Sequence, residues 1–174
     1  MRPLAGPPDE GSTRGALITA TPYAALLPRQ AGRAYLKAGA RCACMPAARG
    51  PLVLWAEDNP QDQILIRAAL EGLPRPPQVV FRDDGLLLLE ALRRTDPALV
   101  VLDLKMPRLG GLETLRRIRA DPSVAGVGVS VFSAGDHPEE TAACQALGAL
   151  EVVRKPVDFR EFTAAVRALL SKAG

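Results

Sequence analysis

From Leu52 to the C-terminus, short apolar runs alternate with stretches whose apolar residues recur at helical spacing, the pattern of a parallel sheet covered by helices on both faces. Leu52 to Ala56 reads as a buried strand. Asn59-Pro60 then opens a helix, with Asn as cap and Pro in the first turn, an inward stripe of Ile64, Leu65, Ala68 and Ala69, and Gly72 near its end. Gln78 to Phe81 predicts a second strand and Gly85 to Arg94 a second helix. Ala98 to Leu102 is purely apolar, as a central parallel strand should be, and it ends at Asp103. After a loop containing Pro107, Gly110 and Gly111, a third helix runs from about Leu112 to Ala120. Leu115 and Ile118 face inward there, with Arg116, Arg117 and Arg119 mostly outside. Val127 to Phe132, Pro138 to Leu147 and Leu150 to Val153 complete the fourth strand, fourth helix and fifth strand. Asp158 caps a last helix whose stripe is Phe162, Val166, Leu169 and Leu170. The expected fold class is α/β, a doubly wound parallel sheet of five βα units.

Residues 1–50 show no such periodicity. They are rich in Pro, Gly, Ala and Arg, only Tyr23 to Leu27 and Ala34 to Ala38 could form helical turns, and the segment reads as a disordered or loosely attached tail. Met45, just ahead of the first strand, is a candidate translation start, in which case the preceding residues are not in the natural protein.

Charge divides the chain at the same point. Residues 1–50 carry seven Lys/Arg against Asp9 and Glu10, net +5, whereas residues 51–174 carry 15 Lys/Arg against 17 Asp/Glu, net −2. The overall +3 therefore belongs to the tail, and no basic folded face for DNA is expected. No apolar run approaches the ~20 residues of a membrane span, and Pro3, Pro7, Pro8, Asp9 and Glu10 interrupt any secretory signal, so a cytoplasmic location is expected. Three cysteines give no disulfide framework; Cys42 and Cys44 form a CxC without a second pair, and Cys144 reads as a small core residue.

The chemistry should lie where loops converge beyond the carboxyl ends of parallel strands. Strand one ends in Glu57-Asp58, strand three in Asp103, strand four in Ser133 and strand five in Lys155-Pro156. Any one of these could be a cap or a solvated turn residue. Together they place three carboxylates, a hydroxyl and an ammonium on one edge. Three clustered carboxylates raise one another's pKa unless a cation sits among them. All-oxygen ligands suit Mg²⁺, which points to phosphoryl transfer.

The segments LVLWAEDNP, LVVLDLKMPRLGG, VSVFSAGD and VVRKPV resemble the sequence blocks of response-regulator receiver domains, the CheY-like family, over about residues 51–172. The resemblance implies a flavodoxin-like strand order 2-1-3-4-5 and a receiver domain at 51–174. It implies that Asp58 binds Mg²⁺ directly, Glu57 through water, and Lys105 through its backbone carbonyl. Asp103 would be both ligand and phosphoryl acceptor, Ser133 would bond the phosphoryl group and draw its loop inward, and Lys155 would neutralise its charge. The implied partners are a sensor histidine kinase and an unknown downstream protein. EDNPQD and DLKMPRLGG further resemble small receivers that partner phytochrome-type kinases. Dimerisation through the fourth and fifth helices is a habit of the family.

Two departures stand out. The family commonly carries an aromatic switch residue three positions before the lysine, where this chain has Val152, and Trp55 replaces a smaller aliphatic in the first strand and reads as core. Lys105 and Gly135 flank the acceptor; a glycine cannot orient an attacking water, so a phospho-aspartate that outlasts seconds is expected. His137, beside Pro138, reads as a capping or exposed residue rather than a phosphate relay. A haloacid-dehalogenase-type phosphatase would want Asp at position 105, which is Lys. A phosphorylation-independent binding module is the other alternative, against which the full set of site residues argues.

Overall fold

The structure, a computed structural model, describes residues 50–136 and 138–174. The expectations for the tail, Met45, Cys42, Cys44 and His137 lie outside these residues. Five strands, β1 (Leu52–Ala56), β2 (Gln78–Arg82), β3 (Leu99–Leu102), β4 (Val129–Ser133) and β5 (Glu151–Arg154), form one parallel sheet in the order β2-β1-β3-β4-β5. The helices are α1 (Pro60–Leu70), α2 (Gly85–Leu92), α3 (Gly111–Ala120), α4 (Pro138–Ala146) and α5 (Phe159–Leu170), followed by a short 3-10 turn at Ser171–Ala173. Among the described residues, no helix is long and apolar enough to cross a membrane.

Alternation along the strands builds two cores. Leu54, Ala56, Val100, Leu102, Val129 and Val131 point to the face covered by α2, α3 and α4, where they meet Leu88, Leu92, Leu115, Ile118 and Cys144. Val53, Trp55, Leu99, Val101 and Phe132 point to the other face, against Ile66 and Ala69 of α1 and Phe162, Val166 and Leu169 of α5. Trp55 is fully buried, as expected, 6.3 Å from the Phe81 ring and 5.8 Å edge-on to Phe132, which meets Phe162 at 5.2 Å.

Asn59 and Asp158 cap their helices as the sequence suggests, and Asp84 caps α2. Asn59 accepts from the Gln61 amide, Asp84 from Leu87, and Asp158 from Arg160 and Glu161. Three details differ. Ile64 is 65 % exposed, and Leu65, Ile66, Ala69 and Leu70 turn toward the core instead, because the stripe on this short helix is shifted by one residue. β4 and β5 each begin later than expected, leaving Leu150 exposed before β5.

Arg119 is not an outward residue. Its guanidinium donates to the carbonyls of Leu147 (3.0 Å), Ala125 (2.9 Å), Val127 (3.0 Å) and Gly148 (2.9 Å), tying the end of α3 to the loops before β4 and β5. Partial burial lowers its pKa from the ordinary arginine value. Because a lysine presents its donors from a single point, it cannot reach four carbonyls spread around a planar fork. Arg119→Lys should therefore destabilise the domain by about 2 kcal/mol. Urea unfolding should show a lower midpoint at unchanged slope, and an unshifted midpoint would contradict the role.

Candidate functional site

The backbone ladder runs one residue past the strands and fixes the site residues. Glu57 N–H donates to the Arg82 carbonyl (2.9 Å), Asp103 N–H to Ala56 (3.0 Å) and Lys155 N–H to Ser133 (2.9 Å). The side chains at these positions thus inherit the rigidity of the sheet rather than the mobility of a loop. Gly111 at the start of α3 lies directly behind Asp103. A β-carbon there would collide with the Asp103 carbonyl group and come within 3.0 Å of the Leu104 Cα, so the helix can pack this closely only on glycine.

Asp103 is 5 % exposed, and both of its oxygens are held. Oδ1 accepts from the Ser133 hydroxyl at 2.6 Å and the Lys105 amide at 3.0 Å; Oδ2 lies 2.6 Å from the Lys155 ammonium. Lys155 Nζ also lies 2.6 Å from Glu57 Oε2 and 2.8 Å from Asp62 Oδ2, so each of its three N–H groups has a carboxylate partner. Glu57 is fully buried, its Oε1 accepting from the Asn59 amide at 3.3 Å, while its carbonyl accepts from Gln63 Nε2 at 2.7 Å. Asp58 is exposed at the mouth.

Burial raises the Glu57 carboxyl from the usual carboxylate range to about 7, against the lowering pull of the Lys155 charge and hydrogen bond, with the Asp103 and Asp62 charges adding to the rise. For Lys155, burial acts to lower the pKa but is outweighed by the Glu57 charge and the three hydrogen bonds, so the ammonium is held above its ordinary value. It stays protonated at neutral pH.

Oxygen atoms of Glu57, Asp58 and Asp103 lie within 4.8 Å of one another. This hard, all-oxygen set is compatible with a divalent cation such as Mg²⁺, and the pressure that burial places on Glu57 is what a second positive charge would relieve. Lys105 offers no carboxyl at the position a haloacid dehalogenase requires; its ammonium pairs with Glu140 of α4 at 2.8 Å. Val152 lines a cleft of about 200 Å³ with Leu104, Ser133, Gly135 and Thr141, so no aromatic ring of β5 fills this side of the site.

All six residues expected at the site are placed, and five of them converge through their side chains. Lys105 contributes its backbone to Asp103 while its side chain turns to α4. Asp62 was missed. It sits in the first turn of α1, where an acid is ordinarily explained by the helix dipole, and only the fold brings it to Lys155, 93 residues away.

The family model of the response regulator receiver domain matches residues 53–167. The chain belongs to that family. The receiver domain is 36 % identical over 105 residues to protein-glutamate methylesterase/protein-glutamine glutaminase 4 of Myxococcus xanthus, a match covering 60 % of this chain and 30 % of that protein. It is 36 % identical over 94 residues to the response regulator MprA of Mycobacterium leprae, covering 54 % and 40 %. The matches thus span half or less of the length of these curated relatives. Among solved structures, the phosphorylated cyanobacterial phytochrome response regulator RcpA superposes with a TM-score of 0.66 at 26 % identity, over 70 % of this chain and 92 % of that one.

In the metal-free receiver, Glu57 gives stability a definite slope with pH. Its folded pKa of about 7 lies above the ordinary value of 4.5, so between these pH values the folded state binds more protons than the unfolded one. This residue's contribution to unfolding free energy therefore falls as pH rises through that window. Thermal melts with a chelator present should show Tm declining from pH 5 to 7, and Glu57→Gln should flatten the decline.

Proposed function

We propose that this receiver is a phosphorylation-dependent signalling module in which Asp103 accepts a phosphoryl group from the phosphohistidine of a sensor histidine kinase. The observation that carries this reading is the Asp103 carboxylate, nearly buried yet aimed by Lys155, Ser133 and the Lys105 amide. A carboxylate oxygen attacks phosphorus, the P–O bond forms as the P–N bond breaks, and the electron pair returns to the imidazole nitrogen. Oδ1 already accepts two hydrogen bonds, so Ser133 must release it and turn its hydroxyl to a phosphoryl oxygen as the group arrives. Lys155 neutralises charge developing on the same group.

Asp58, Asp103, Glu57 through water and the Lys105 carbonyl would hold Mg²⁺. What bound Mg²⁺ supplies is neutralisation of the phosphoryl oxygens. The likeness to RcpA, a phytochrome response regulator by its description, supports a kinase of the phytochrome type as donor. Lys105 is occupied by Glu140 and Gly135 carries no side chain, which supports a phospho-aspartate that outlasts seconds.

Acetyl phosphate with Mg²⁺ should add one phosphoryl mass to the chain, and Asp103→Asn should abolish the gain. Catalytic release of phosphate would instead indicate a phosphatase. No mass gain and no release would indicate a binding module that works without phosphorylation.

A further inference from the structure

The Lys155 ammonium has no spare donor: Glu57, Asp62 and Asp103 take all three N–H groups, and its side chain is only 7 % exposed. Two of the three partners belong to the group of carboxylates able to hold a divalent cation, Glu57, Asp58 and Asp103. The ammonium and such a cation therefore compete for the same charge, and like charges at this separation repel. Asp62 stands outside that group. It projects from the first turn of α1, whose N-terminus is fixed by the Asn59 cap, and it is 21 % exposed.

We infer that Asp62 is a positioning residue: it is the carboxylate on which Lys155 is retained when Glu57 and Asp103 turn to a divalent cation and to the phosphoryl group. This rests on the function proposed above and adds a residue to it. Without Asp62, the ammonium closes onto Glu57 and Asp103 and opposes the entry of the cation. Once the cation is bound, the ammonium has no fixed seat from which to reach the phosphoryl oxygens. Asp62 thus acts through Lys155 and touches no reacting atom itself.

The test is Mn²⁺ or Mg²⁺ binding to the unphosphorylated chain, followed by calorimetry or by the Mn²⁺ spin signal. Asp62→Asn keeps the shape and removes the charge, and it should weaken binding by about fivefold or more, the lower end of ordinary coupling between two sites. Asp83→Asn is the control. Its carboxylate stands at the same edge, 3.3 Å from Gln63 Nε2, without a bond to Lys155, and its loss should change binding by less than about twofold, as an exposed charge does.

In a Lys155→Met background the effect of Asp62→Asn should vanish. If that background does not fold, the comparison of Asp62→Asn with Asp83→Asn decides alone. Equal weakening by both single variants, or weakening that persists without Lys155, would overturn the inference in favour of a general charge effect.

Phosphorylation gives a second readout. Asp62→Asn should lower the rate at saturating acetyl phosphate and Mg²⁺ by about tenfold, as loss of an oriented charge does, with the donor concentration for half-maximal rate unchanged. An unchanged maximal rate would count against it. If the parent chain takes up no phosphoryl group, the proposed function fails, while the metal titration still decides the role of Asp62.

Discussion

Three carboxylates drawn from the end of β1, the first turn of α1 and the end of β3 share the ammonium of Lys155, and the carboxyl edge of the sheet is organised around that shared charge. Glu57 and Asp103 are both almost completely buried, and the Asp103 charge disfavours ionisation of Glu57 while the Lys155 charge favours it. The bonds reach across 98, 93 and 52 residues, so the ammonium can take its place only after the sheet has closed from β1 through β5. The cluster around Asp103 is thus a product of the tertiary fold, although its parts lie at the ends of separate local elements. Breaking a buried pair by removing one partner costs about 3–5 kcal/mol. Here a single side chain serves two such pairs, with Glu57 and Asp103, and a third with the partly exposed Asp62.

This explains which features the sequence exposes. Strand-end position is a local property: Asp103 follows a purely apolar strand, Ser133 closes β4 and Lys155 follows β5, so each can be placed from period and boundaries. Parallel topology then sends all of them to one edge. Asp62 and Arg119 could not be found this way. An acid in a first turn and an arginine in a last turn both satisfy the helix dipole, and that sufficient local reason hides the long-range partner. The one-residue shift of the α1 stripe, which leaves Ile64 exposed, follows from a similar ambiguity: in the run Ile64-Leu65-Ile66 any residue could face the core. Burial of Ile66 is decided by what α5 and β1 present to it.

Asp84 shows the same division between local and distant causes. It caps α2, accepting from the Leu87 amide. Its second oxygen meets the guanidinium of Arg108, which lies in the β3–α3 loop with a positive φ of 60°. A non-glycine residue in that region is strained, and the strain persists only because surrounding contacts impose it. The loop that follows Asp103 and carries Lys105 is therefore pinned at Arg108 to the buried cap of α2, and at Gly85, whose amide donates to the Leu109 carbonyl at 3.1 Å. No single segment of sequence contains this arrangement.

How a change at Asp103 reaches the surface depends on which neighbours are free to move. Lys155 is enclosed and Gly111 packs too close to the Asp103 backbone to admit a β-carbon, so that side of the site is closely packed. The side toward β4 and α4 is different. Ser133 touches Asp103 directly, Val152 leaves a cleft beside it, and Lys105 joins the acceptor's loop to Glu140 by an exposed ion pair, an interaction of ~0–1 kcal/mol. α4 itself buries Cys144, whereas α2 buries Gly85, Leu88, Leu89, Ala91 and Leu92. Elements with few buried side chains open at the least free energy. With Val152 rather than an aromatic lining the cleft beside Ser133, α4 and its ion pair to Lys105 are the parts of this edge held by few buried contacts.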